Sequence, residues 1–204
     1  MRPVQGYKEA TATNFNAAER LPVGGYILKI LDVKEENYTW GDVIVLRFDI
    51  AEGDHKGFFQ KQYDNMSDEY KKWKGTYRLN VPSPRSDSED DQKKYKRALG
   101  FFKAQIEAIN QSNNINIDCS REWDVRVLKG KFVGAVFGNK EWERGWFTNC
   151  DHLVSVQDIR EEKFTIPKDK PLKNKSESTA FDSAAPSGSM ADFDETETES
   201  PVPF

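Results

Sequence analysis

Between Lys56 and Arg78, six basic residues (Lys56, Lys61, Lys71, Lys72, Lys74, Arg78) interleave with six aromatics (Phe58, Phe59, Tyr63, Tyr70, Trp73, Tyr77) and only three acids. That mixture suits an unpaired nucleic-acid strand, which offers phosphates to cations and bases to flat rings, each stacked base contributing roughly 1–3 kcal/mol. Strand alternation puts Phe59, Lys61 and Tyr63 on one face, opposite Phe58, and turns Arg47 and Arg78 outward. Tyr38 and Trp40 fall in an expected hairpin loop, ENYTWGD, where large rings are hard to explain by packing. Trp142, Arg144 and Trp146 alternate along another expected strand, and two tryptophans around an arginine are an unfavourable group to expose without a ligand. With Trp73, and with Lys131 at the head of a further strand, these residues form the candidate strand-binding set. Rings in β-proteins more often belong to the core, so the interleaving speaks for the group rather than for each member.

Other chemistries have little to work with. Asp87, Glu89, Asp90 and Asp91 are the one acidic group that suggests Mg2+ and a nuclease, yet a helix start at Ser88 accounts for them through capping and the helix dipole. Cys119, Cys150, His55 and His152 lack zinc-ligand spacing, and neither G-x-x-x-x-G-K-[ST] nor G-x-S-x-G occurs. The expectation is a non-enzymatic protein with no catalytic residue, metal or cofactor. Two cysteines without a C-x-x-C pair suit a reducing compartment. No run of 18 apolar residues occurs, and MRPVQGYKEA does not read as a secretory signal, so a cytoplasmic location is expected.

Positioning these residues requires a scaffold, and period two dominates it. Ile44, Leu46, Phe48 and Ile50 alternate with Val43, Val45, Arg47 and Asp49, as in a strand buried on one face. Further strands are expected at Tyr26 to Val33, Gly57 to Tyr63, Thr76 to Val81, Lys131 to Phe137, Trp142 to Phe147 across a Gly138-Asn139 turn, and Leu153 to Ile159. One helix interrupts them: Tyr95, Ala98, Leu99, Phe102, Ile106 and Ile109 make an apolar stripe, from an N-cap at Ser88 to a stop at Ser112-Asn113-Asn114. The fold class expected is mainly β, an OB-fold-like antiparallel barrel with one inserted helix; a β-sandwich with a covering helix fits the same count.

The 204 residues carry 30 Lys+Arg against 34 Asp+Glu, a net charge of -4 that hides a division. Residues 176–204 hold seven acids and no Lys or Arg, which leaves 30 basic against 27 acidic residues, net +3, before them. That last stretch has no Ile, Leu, Trp or Tyr and is expected to be a disordered acidic tail. The domain division expected is 1–167 for the folded body and 168–204 for linker and tail.

The tail contains Met190-Ala191-Asp192-Phe193-Asp194-Glu195 and ends Pro201-Val202-Pro203-Phe204. It resembles the C-terminal tip of bacterial single-stranded DNA-binding proteins, which implies partner binding through Asp192, Phe193, Asp194, Glu195, Pro203 and Phe204. A terminal phenylalanine offers a ring and a carboxylate on one residue, enough for an apolar pocket rimmed by cations. The tip departs from that pattern where Thr196, Thr198 and Ser200 space the acids and Val202 separates the prolines. The body resembles a family of phage-encoded single-stranded DNA-binding proteins, through Phe48-Asp49-Ile50-Ala51-Glu52-Gly53 with Lys56-Gly57-Phe58-Phe59, Phe102-Lys103 with Ile106-Glu107 and Ser112-Asn113, and Leu128-Lys129-Gly130-Lys131 with Val133-Gly134 and Val136-Phe137-Gly138. That resemblance covers about residues 20–167. It implies an OB-type barrel, strand binding with little sequence preference, protection of single-stranded DNA in phage replication or recombination, and recruitment of proteins of that apparatus by the tail. The alternative is a metal-dependent phage nuclease or recombination accessory enzyme.

Overall fold

The computed structural model describes residues 20–66, 71–143 and 145–172. The chain divides into two compact units, Met1–Leu172 and Lys173–Phe204. The second unit, with Asp192, Phe193, Asp194, Glu195, Pro203 and Phe204, lies outside the described residues, as do Tyr70 and Arg144.

Five antiparallel strands form one sheet in the order β3-β2-β1-β4-β5. They are β1 (Gly24–Tyr38), β2 (Gly41–Ile50), β3 (Thr76–Asn80), β4 (Phe132–Trp142) and β5 (Gly145–Val154). Among the described residues the helices are α1 (Phe58–Asp64), α2 (Glu89–Asn113) and α3 (Val156–Arg160), with a short 3-10 turn at Val125–Leu128. The inner face of β2 is as expected: Ile44, Leu46, Phe48 and Ile50 join Leu28, Ile30, Leu79, Val133 and Phe137 in the core, but Val43 and Asp49 of the other face are buried as well.

The expected helix is α2, and its ends follow local chemistry. Ser88 accepts a bond from the Asp91 amide, three acids occupy the first turn, and Asn114 closes the end in the left-handed region. Phe102, Ile106 and Ile109 are buried against the sheet, but Leu99, expected on the same stripe, is exposed, because the core does not extend under the first half of this 25-residue helix.

Three expected strands are corrected. Gly57 to Tyr63 is mostly helix α1, started from a distance. Its N-cap Gly57 has no side chain, and the buried Asp49 of β2 accepts instead from the amides of Phe59 at 2.9 Å and Gln60 at 3.1 Å. Leu153 to Ile159 splits into the end of β5 and α3, which begins with a Ser155/Asp158 capping box. The hairpin turn expected at Gly138-Asn139 instead follows Trp142, because β4 continues to that residue.

Closure into a barrel is not made by backbone pairing among the described residues, since β3 and β5 remain the sheet edges. They meet through a side chain: the Tyr77 hydroxyl lies 2.5 Å from Gln105 Oε1 on α2 and 3.5 Å from the Asp151 carbonyl on β5.

The first compact unit extends to Leu172. Lys170 pairs in parallel with Lys140, its amide donating to the Asn139 carbonyl at 3.0 Å and its carbonyl accepting from Glu141 at 2.8 Å. Its ammonium reaches Asp151 at 2.5 Å, and His152 Nδ1 lies 2.9 Å from the other carboxylate oxygen. His152 first and Lys170 second hold the Asp151 carboxyl down to about 2 from 3.8. A pKa lower in the folded than in the unfolded state gives stability that is complete above the unfolded value and lost as pH falls through the folded one. Stability should therefore drop by about 2 kcal/mol between roughly pH 4 and pH 2 on this account, and thermal melts of Asp151→Asn should show a shallower acid limb than the parent. An unchanged limb would remove the carboxylate from this role.

Candidate nucleic-acid interface

Which side chains reach the outer face of β1, β2 and β3 is decided by register. Residues opposite each other in a ladder share a face. The β2–β3 pairs Val45↔Arg78 and Arg47↔Thr76 place both arginines on the side away from Leu46 and Phe48. A register shift between Ile30 and Asp32 then brings Asp32, Lys34 and Glu36 opposite Arg47, Val45 and Val43, onto the same outer side. Tyr38 follows at the end of β1 opposite Gly41.

Two groups of rings and cations form around the outward arginines Arg78 and Arg47. In the first, the Tyr38 and Trp40 rings stack with centroids 5.0 Å apart and planes 9° from parallel. The Arg78 guanidinium lies 5.4 Å from the centre of the Tyr38 ring and donates to the Tyr38 hydroxyl. It also pairs with Glu36 Oε2 at 3.0 Å, and the Tyr38 hydroxyl donates to that same oxygen. Accepting this proton pushes the Tyr38 hydroxyl pKa above its ordinary value. Trp40 is 46 % exposed. Beside it, Tyr38–Gly41 and Ser83, Pro84 and Arg85 line an open recess of about 520 Å3.

In the second group, the Arg47 guanidinium covers Trp73 at 4.3 Å. Tyr63 of α1 approaches Trp73 with centroids 5.7 Å apart, and Lys71 Nζ lies 5.1 Å from the centre of Tyr63. The Trp73 indole donates to the carbonyls of Phe48 at 3.1 Å and Gly75 at 3.0 Å. This group therefore fastens the chain leading into β3 as well as presenting a ring.

No protein-family model matches the chain, and no curated protein matches it.

Of the residues expected from sequence, Tyr38, Trp40, Arg47, Tyr63, Trp73 and Arg78 are brought together in these two groups. Phe59 is not among them: it is 8 % exposed and packs edge-on against Phe48, because helix α1 turns it into the core. Lys61 is exposed on α1, and its expected strand face with Phe59 and Tyr63 does not exist. Lys131 precedes β4, on the other side of β1, and joins neither group.

Trp142 and Trp146 sit on the β4–β5 hairpin, both exposed. They do not share a face, because the register pairs Trp146 with Glu141 and Trp142 with Gly145, neighbouring rungs of opposite sense. Lys140 lies over Trp142 at 6.0 Å, with Phe147 across the ladder from Lys140, a set of three on one face that includes two residues the sequence reading missed. Alternation within β4 was the signal that would have found Lys140. The acids at 89–91 occupy the first turn of α2, and Asp91 also bonds Ser86. Among the described residues no helix is long and apolar enough to cross a membrane.

Proposed function

We propose that the protein binds single-stranded DNA with little sequence preference, through the outer face of β1–β2–β3 and the tips of its two hairpins. The observation that carries this reading is a pair of ring–cation groups, Tyr38/Trp40/Arg78 and Tyr63/Trp73/Arg47/Lys71, each built around an outward arginine of the adjacent strands β3 and β2. Guanidinium and ammonium groups meet the phosphates, while exposed rings accept bases without hydrogen-bond readout. The strand order supports the reading. The order β3-β2-β1-β4-β5, with a helix between β3 and β4, is that of an OB barrel opened between its third and fifth strands. In that fold strands 2 and 3 and the loops 1–2 and 4–5 hold oligonucleotides. Here those loops carry Trp40 and, beside the second, Trp142 and Trp146. In the fuller proposal the protein protects single strands in phage replication or recombination in the host cytoplasm, and recruits proteins of that apparatus through Phe204 and the acids before it.

The test is a fluorescence titration with an oligo-dT strand at several salt concentrations. Binding should quench tryptophan emission, and log K should fall linearly with log salt at about −0.7 for each phosphate contact, hence roughly −2 to −3 for Arg47, Arg78, Lys71 and Lys140 together. No binding at low salt would end the proposal, and Mg2+-dependent loss of the oligonucleotide would turn it toward the nuclease.

A further inference from the structure

An acid beside the arginine of a proposed phosphate-binding face needs an explanation, and Glu36 is one. The outward acid Asp32, nearer the middle of β1, is held by Lys129 at 2.9 Å. Glu36 has the uncharged Val43 opposite it and turns diagonally across β2 to Arg78. Three bonds close a triangle: Arg78 donates to Glu36 and to the Tyr38 hydroxyl, and that hydroxyl donates to Glu36. Both charged side chains remain reachable, 51 % exposed for Arg78 and 31 % for Glu36.

We infer that Glu36 sets the affinity of this face by holding, in the free protein, the place on Arg78 that a backbone phosphate takes in the complex. The inference rests on the strand-binding reading and concerns how that site is tuned. Chemistry favours the exchange. A solvent-exposed ion pair is weak, and a phosphate presents more anionic oxygens to the guanidinium fork than the single Glu36 oxygen now engaged. Once displaced, the carboxylate takes up a cation from solution, which offsets one of the counterions released from DNA. Glu36 therefore lowers both the affinity and the steepness of its salt dependence. Tyr38 keeps its stack on Trp40 throughout.

The experiment compares the full chain with Glu36→Gln, whose amide oxygen still accepts from Arg78 and Tyr38 while the charge is gone. Anisotropy titrations with oligo-dT over a salt series should show the variant binding about 3- to 5-fold tighter, the equivalent of one exposed ion pair. Its log–log salt slope should be steeper by about 0.7. The same substitution in an Arg78→Ala background should leave the slope unchanged. A variant that binds equally or more weakly overturns the inference and makes Glu36 a support for the Tyr38 ring. A full slope change without Arg78 also overturns it, in favour of long-range repulsion. A parent protein that binds no oligonucleotide defeats the strand-binding reading itself, which distinguishes the two failures.

Discussion

Trp40→Ala should weaken binding of an oligo-dT strand by roughly 5- to 150-fold, the loss of one base–ring stack at about 1–3 kcal/mol. The ring is 46 % exposed on a two-residue turn, outside the core cluster, so the packing lost with it is its stack on Tyr38. Unfolding should shift by about 0.5–1.5 kcal/mol, the worth of one aromatic pair. Trp73→Ala is the informative contrast. Its indole bonds two carbonyls, and the ring packs beside Gly75, so that variant should lose stability together with binding. The checks are an equilibrium titration and a urea melt on the same samples. Unchanged affinity in Trp40→Ala would take the first hairpin out of the interface.

The largest stability effect is expected at Asp49→Ala. The carboxylate is 9 % exposed and accepts from the amides of Ile50 at 2.8 Å, Phe59 at 2.9 Å and Gln60 at 3.1 Å. Its removal leaves these donors without their acceptor, at a cost of about 3 kcal/mol or more. Against a typical domain stability of about 5–15 kcal/mol this is a large share. Asp49→Asn keeps one acceptor oxygen and should lose about half as much. Because α1 carries Tyr63, hydrogen exchange should show the helix amides opening before the sheet in either variant. A melt within about 0.5 kcal/mol of the parent would mean that α1 does not depend on this carboxylate.

Trp40 and Asp49 mark how far local pattern reaches. The polar segment ENYTWGD ahead of the alternation of β2 reads as a hairpin loop, so the exposed ring of Trp40 was readable from the chain. Helix α1 was not. Its short sequence, FFQKQYD, mimics alternation at Phe59, Lys61 and Tyr63, and the group that caps it stands ten residues before Phe59. At α3 the information was present, as Ser155 three residues before Asp158, but the apolar run from Leu153 to Ile159 outweighed it. For Trp142 and Trp146, equal spacing within one strand implied a shared face, whereas a turn between them places them on paired strands.

The strongly periodic elements were legible along the chain: β2, by large apolar residues at every second position, and α2, by an apolar stripe between a serine cap and an asparagine stop. These depend on contacts within one element, which a chain carries in its own order. The face that Glu36 and Tyr38 of β1 occupy was set only by pairing between strands. Counting by twos from the buried Ile30 sends Glu36 and Tyr38 inward; the register shift after Ile30 reverses the count and brings them to Arg78. An unpaired residue in a strand is defined by the partner it fails to pair with, and that partner is elsewhere in the chain.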